Sequence, residues 1–98
     1  MKNEICHAIA RRRIISFSYK GGERTVEPHM IAFSKTGKLV LSAWFLHGGS
    51  ESKEGAGWRT YALDEISQLT VSDKIFDEPR LGYQADGGKS FSRIQCAL

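Results

Sequence analysis

The alternation of apolar and polar side chains changes period once, near residue 14, and that change organises the whole chain. Before it, residues 3 to 12, NEICHAIARR, place Ile5, Ala8, Ile9 and Arg12 on one stripe at helical spacing. Asn3 is placed to cap this helix, Glu4 suits its positive start, and Arg11, Arg12 and Arg13 complement its negative end. After it, IISFSYK alternates Ile15, Phe17 and Tyr19 with serines, which predicts a half-buried strand. KGGE supplies a hairpin turn in which Gly21 and Gly22 accept positive φ. A second strand follows from Arg24 to Phe33, then a turn at SKTGK, then LVLSAWFL, whose apolar residues on both faces predict burial on both sides. Residues 47–57, HGGSESKEGAG, are polar and aperiodic and read as a mobile loop. WRTYAL resumes strand character, LDEI forms a single helical turn, and ISQLTVSD gives a last strand.

The pattern therefore predicts a mainly β (α+β) fold. An N-terminal helix is followed by five short strands that close into a small barrel, which removes exposed edges. The barrel domain spans residues 1–76. Residues 77–98 read as an irregular tail in which only Phe91, Ile94 and Leu98 are spaced to pack, on their own barrel or on a neighbouring subunit.

One strand resists a simple alternation. In GERTVEPHMIAF, a period of two places Arg24 on the same face as Val26 and Met30, although an arginine facing a core is costly. Either Pro28, which cannot donate to a ladder, shifts the register, or Arg24 points into a polar site.

Composition narrows the function classes. Ninety-eight residues, 41% of them hydrophobic and 26% charged, suit one globular domain with a thin core. No apolar run approaches the roughly 18 residues of a membrane span, and the N-terminus lacks the pattern of a signal peptide. Cys6 and Cys96 lie near opposite ends without metal spacing or a disulfide framework, so they read as reduced thiols of a cytoplasmic protein. Charge is uneven. Residues 1–40 carry eight Lys/Arg against three Asp/Glu, and residues 41–98 carry six against eight, so the net charge of +3 divides as +5 and −2. Such asymmetry suits an anionic partner for one face.

The chemistry of catalysis is missing from the motifs. His7, His29 and His47 show no zinc spacing, and there is no nucleophile elbow, phosphate loop or dinucleotide fingerprint. Asp64-Glu65 reads as a solvated turn, and neither a metal nor a cofactor is expected. What remains is a set of cationic and aromatic side chains at strand positions: Tyr19, Arg24, His29, Trp44, Arg59 and Tyr61. A guanidinium grips phosphate in a fork and an aromatic ring stacks on a base, which is what nucleotide and single-strand recognition requires. In a thin barrel the aromatics also serve as core. Arg24 and Arg59 share faces with apolar neighbours, so each needs either a ligand or a carboxylate, for which Glu27 and Asp64 are the candidates.

An ordered set of segments carries a family resemblance over residues 5 to about 76: ICHAIARRRIISFSYKG, then RTVEPHMI, GKLVLSAW and WRTYALDEI, ending at Phe76. This series resembles the WYL domain, a small Sm-like barrel found in bacterial transcriptional regulators and phage-defence proteins. The tripeptide that names the family falls at Leu39-Val40-Leu41, where only the leucine is kept. The family's usual DNA-binding helical partner does not accompany the domain, which suggests a stand-alone member or a piece of a longer chain. The resemblance implies a non-catalytic regulatory domain that binds nucleic acid or a nucleotide-like ligand, alone or beside a DNA-binding regulator. It implies that Arg24 lines a polar site beside Arg59, with His29 and Tyr19 nearby. The alternative is an oligomerisation module without a nucleic-acid ligand, in which the tail packs on a second subunit and the arginines are ion-paired.

Overall fold

The structure, a computed structural model, describes residues 1–49 and 55–98. Helix α1 (Lys2–Ala10) is followed by β1 (Arg13–Tyr19), β2 (Gly22–Ser34), β3 (Leu39–Gly48) and β4 (Gly57–Ala62). A single 3-10 turn, Leu63–Glu65, leads into β5 (Ile66–Ile75), and β6 (Phe91–Ala97) ends the chain. The fold is mainly β with one helix, and all pairings are antiparallel. The strand order is β4-β3-β2-β1-β5, with β6 on the free part of β2. Of the loop expected over 47–57, residues 50–54 lie outside the described residues.

Three expectations are corrected. The sheet does not close: β4 and β5 stand at opposite ends of the strand order and do not pair among the described residues. The corner is stapled by a side chain instead, because the Ala62 N–H donates to the Tyr19 hydroxyl at 3.0 Å. Second, the tail is not irregular throughout. Its residues 91–97 add a sixth strand, matching Met30 with Ala97 and Ser34 with Phe91. Third, the cysteines are not reduced thiols. Cys6 on α1 and Cys96 on β6 form a disulfide with a Cα–Cα distance of 5.7 Å. Pairing of β6 with β2 beside the helix brings together two residues that are 90 positions apart. The argument for a cytoplasmic protein that rested on free thiols falls away with them. No helix among the described residues is long and apolar enough to cross a membrane.

Local chemistry explains the elements. The turn between β1 and β2 uses Lys20 at φ 48° and Gly21 at φ 80°, the two positive values of a type I′ hairpin turn. Helix α1 caps at Met1 rather than Asn3 and ends where Arg12 adopts φ 54°. Arg12 then ties the helix end to the end of β5. Its carbonyl accepts from the Phe76 N–H at 2.9 Å, and its guanidinium donates to the Asp77 carbonyl. Ile5, Ala8 and Ile9 of α1 pack onto Ile15, Phe17, Val26, Ile31, Leu41, Ala43, Phe45, Tyr61 and Ile66 on the inner face of the sheet.

The register resolves the face of Arg24. Phe17 pairs with Arg24 and Ile15 with Val26, so Arg24 and Val26 do share the inner face. Between Pro28↔Ala43 and Met30↔Ser42 the ladder with β3 shifts by one residue, His29 being the extra one. That bulge sends Met30 and Ala32 to the outer face while Ile31 and Phe33 continue the inner one. The register changes directly after Pro28, and Arg24, before that change, faces inward.

Candidate functional site

The register divides the six candidate residues between two faces. On β4, the pairings Ala43↔Arg59 and Leu41↔Tyr61 place Arg59 and Tyr61 on the inner face with the core residues of β3. Arg24 and Tyr19 occupy the same face on β2 and β1. His29 and Trp44 belong to the outer side, where Trp44 pairs with Trp58.

On the inner face, Tyr61 is 4% exposed and sits edge-on to Phe17 at 5.0 Å and to Tyr19 at 4.9 Å. Its hydroxyl is buried and has no hydrogen-bond partner among the described residues. Burial pushes its pKa up to about 12, and the charges of Arg24 and Arg59 pull against that rise. The hydroxyl is therefore a neutral donor in the field of two guanidinium groups. Arg24 lies across Gly22, where a Cβ would stand 2.5 Å from its Nη1, so a side chain at position 22 would displace the guanidinium. Arg24 donates to the Glu23 carbonyl at 3.2 Å. Arg59 donates to the carbonyls of Trp58 and Gly55 at 2.8 and 2.9 Å and lies 5.4 Å from the Phe45 ring centre. Tyr19 contributes its ring edge here, but its hydroxyl is committed to the Ala62 N–H.

The outer face is assembled differently. Glu27, 4% exposed, accepts both Nε and Nη2 of Arg80 at 2.7 and 3.0 Å. The same guanidinium lies 5.1 Å from the Trp44 ring centre. Glu27, one of the two candidate carboxylates for Arg24 and Arg59, is thus taken by Arg80 from the tail, and Asp64, the other, is exposed on the 3-10 turn. His29 is fully buried. Its Nδ1–H donates to the Glu27 carbonyl at 2.8 Å, and its Nε2 accepts from the Arg80 N–H at 3.1 Å. Desolvation lowers its pKa, against the hydrogen bond and charge of Glu27, so the ring is neutral. Trp58, Phe76 and Tyr83 surround it at 4.7, 5.4 and 5.3 Å. With both nitrogens satisfied inside the protein, His29 serves packing. Trp44 likewise stands under Arg80 and against Trp58 at 5.7 Å.

Sequence reasoning missed Arg80, Tyr83 and Trp58, which complete the outer face. One signal was available: Glu27, between Val26 and Pro28, required a cation, and Arg80 is a tail arginine close to the only tyrosine of that segment. Among the described residues no cluster of His, Cys, Asp and Glu could hold a metal ion.

No characterised protein and no solved structure shows significant similarity to the chain. The sequence profile of the WYL domain, a family of regulatory domains, matches residues 1–71. That match takes in α1, β1 to β4 and part of β5, including both inner-face arginines, and leaves Arg80, Tyr83 and β6 outside it. On that span, the chain belongs to the WYL domain family.

Proposed function

We propose that this chain is a non-catalytic regulatory domain that binds an anionic, nucleotide-like ligand or single-stranded nucleic acid at the mouth formed by Arg24, Arg59 and Tyr61. The observation that carries the reading is the buried Tyr61 hydroxyl, without a partner among the described residues and flanked by two guanidinium charges. A buried polar group without a partner costs about 1–3 kcal/mol, and a phosphate oxygen at the mouth would relieve that cost while meeting both cations. Tyr19 and Phe45 supply ring surface beside it. Transcriptional or phage-defence control fits such a sensor, as does a cytoplasmic setting. There the Cys6–Cys96 bond would be the oxidised state of a reducible pair.

The test is binding of a short single-stranded oligonucleotide as a function of salt. With about three phosphates neutralised, log affinity should fall against log salt with a slope of roughly −2. Arg24→Ala should make that slope shallower by about 0.7 and cost about ten- to a hundred-fold in affinity. Lysine at position 24 should rescue only in part, because an ammonium lacks the guanidinium fork.

A second reading has its own observation. Ile75 and Leu81 are 63% and 96% exposed and line one groove with Phe76 and Pro79, and the outer edges of β4 and β5 pair with no further strand among the described residues. These features favour self-association. A stable oligomer that binds no oligonucleotide at low salt would select this reading over the first.

A further inference from the structure

A cavity of about 200 Å³ lies on the outer face, between β3–β4 and the chain leading into β6. Its walls come from two sources. Ser42 and Thr60, a directly paired couple on β3 and β4, stand beside the Trp44–Trp58 pair. Across from them the residues preceding β6 contribute Tyr83, Gln84, Ser90 and Phe91. None of these latter residues lies within the WYL match, so the cavity is an addition built by this chain's own C-terminal segment.

The opposing wall is held in place by specific backbone. Gly82 has φ +95°, and a Cβ there would stand 3.1 Å from the Trp58 indole nitrogen, which donates to the Leu81 carbonyl at 2.9 Å. Gly87 has φ +83°, and a Cβ there would stand 2.7 Å from the Phe91 carbonyl oxygen. At both positions only glycine combines the dihedral with the close approach. Tyr83 is anchored through its hydroxyl to the Leu98 carbonyl at 3.2 Å and lies nearly parallel to Trp58, with ring centres 6.4 Å apart. The cavity is therefore preformed, with two tethered aromatic rings in its lining.

The lining chemistry selects an occupant. Apart from Arg59, the polar side chains are neutral hydroxyls and one carboxamide, and no carboxylate lines the cavity among the described residues. Its volume is below the roughly 300 Å³ at which sites for drug-sized ligands begin, and above the roughly 150 Å³ that accommodates one benzene ring. A single planar heterocycle with hydrogen-bonding edges fits these limits, because rings supply stacking surface and hydroxyls and amides read donor and acceptor positions.

We propose that this cavity, which is lined from the outer face and shares only Arg59 with the inner-face site, is a binding pocket for one nucleobase. The base comes either from a free nucleoside or from a single strand. The inference rests on the lining from Ser42, Thr60, Trp58 and the residues preceding β6, and it does not require the inner-face anion site, with which the cavity shares Arg59.

Two-dimensional NMR of the full chain, with its disulfide intact, tests the proposal. Adenosine, guanosine, cytidine and uridine, each titrated to millimolar concentration, are the probes. Saturable shifts of the Trp58 indole N–H and of the amides of residues 42, 60, 82–84 and 87–91 are expected for at least one of the four. Ser90→Phe and Thr60→Phe each fill the cavity from an exposed position and should weaken that binding at least tenfold while the remaining spectrum keeps its folded dispersion. Arg24→Ala should leave the nucleoside shifts unchanged, which separates this pocket from the inner site. If the base is taken from a strand, a tetranucleotide should reproduce the shifts and an abasic tetranucleotide should not. If it is taken from a free nucleoside, the nucleosides should act and the tetranucleotide should not. Absence of a saturable shift at these residues with all four nucleosides and the tetranucleotide would overturn the proposal. Shifts that persist unweakened in both filled variants would overturn it too.

Discussion

The two faces of this sheet carry similar side chains and use them in opposite ways. On the outer face an arginine, a histidine and aromatic rings meet, and the protein satisfies them itself: Arg80 grips Glu27, and His29 spends both nitrogens on neighbours. On the inner face two arginines and a tyrosine meet, and a buried hydroxyl is left without a partner among the described residues. Residue type alone does not distinguish a structural cluster from a candidate site. The difference is what remains to be hydrogen-bonded after folding, and here the C-terminal segment makes it, because it supplies Arg80 to Glu27 and His29 on the outer face and no partner to the Tyr61 hydroxyl among the described residues.

The largest way to break this contrast is to detach that segment. The Cys6–Cys96 bond closes a loop spanning 90 positions, so reduction or Cys96→Ser should cost about 2–4 kcal/mol of stability. Denaturant unfolding with and without reductant measures it. The outer face should loosen first, seen as faster hydrogen exchange at the amides of Arg80 and Leu98, which bond to His29.

Next in size is an alkaline effect of Tyr61. Its folded pKa, about 12, exceeds the ordinary value of 10.0, so the folded state holds the phenolic proton more tightly than the unfolded chain. The stability so contributed is complete below pH 10 and is lost as pH rises from 10 through 12. That loss is about 2–3 kcal/mol. Tyr61→Phe should flatten this part of the stability–pH profile and, at neutral pH, remove a buried hydroxyl that has no partner among the described residues, at little cost in stability.

Arg80→Ala should destabilise by about 2 kcal/mol, less than the 3–5 kcal/mol of a fully buried pair because the Arg80 side chain is 42% exposed. Arg80→Ala with Glu27→Gln together should recover part of that loss, since the stranded carboxylate is then gone. Thermal unfolding of the two variants measures both.

The smallest effect belongs to His29. A lowered folded pKa means that the neutral ring is preferred inside, so its contribution is present above pH 6.5 and is lost as pH falls through the folded value. Melting temperatures should drop on acidification below pH 6.5, and His29→Asn should reduce that slope.

Much of this arrangement was legible in the chain. The switch from helical to alternating period at residue 14, the glycine turn after Tyr19 and the proline that breaks β2 all act locally, so local pattern predicts them. The family resemblance implied a polar site lined by Arg24 and Arg59, and the register places the two on one face of the sheet. Long-range pairing left no such mark. Strand β6 is short and largely exposed, and Arg93 at φ 45° interrupts its alternation, so FSRIQCA does not read as a strand. Without β6, nothing in the sequence brings Cys96 to Cys6, and the cation that Glu27 requires is not singled out as Arg80. His29 was placed in the candidate site because a bulge residue's direction cannot be read from period alone.

The contrast between the faces is tested most directly by comparing Arg24→Ala and Arg80→Ala, with melting temperature and salt-dependent oligonucleotide affinity measured on both proteins. The account predicts a crossed pattern. Arg24→Ala should melt within about 0.5 kcal/mol of the parent and bind about ten- to a hundred-fold more weakly with a shallower salt slope. Arg80→Ala should be destabilised and keep both the affinity and the slope of the parent at temperatures where it is folded. A destabilised Arg24→Ala protein with unaltered binding would contradict the account.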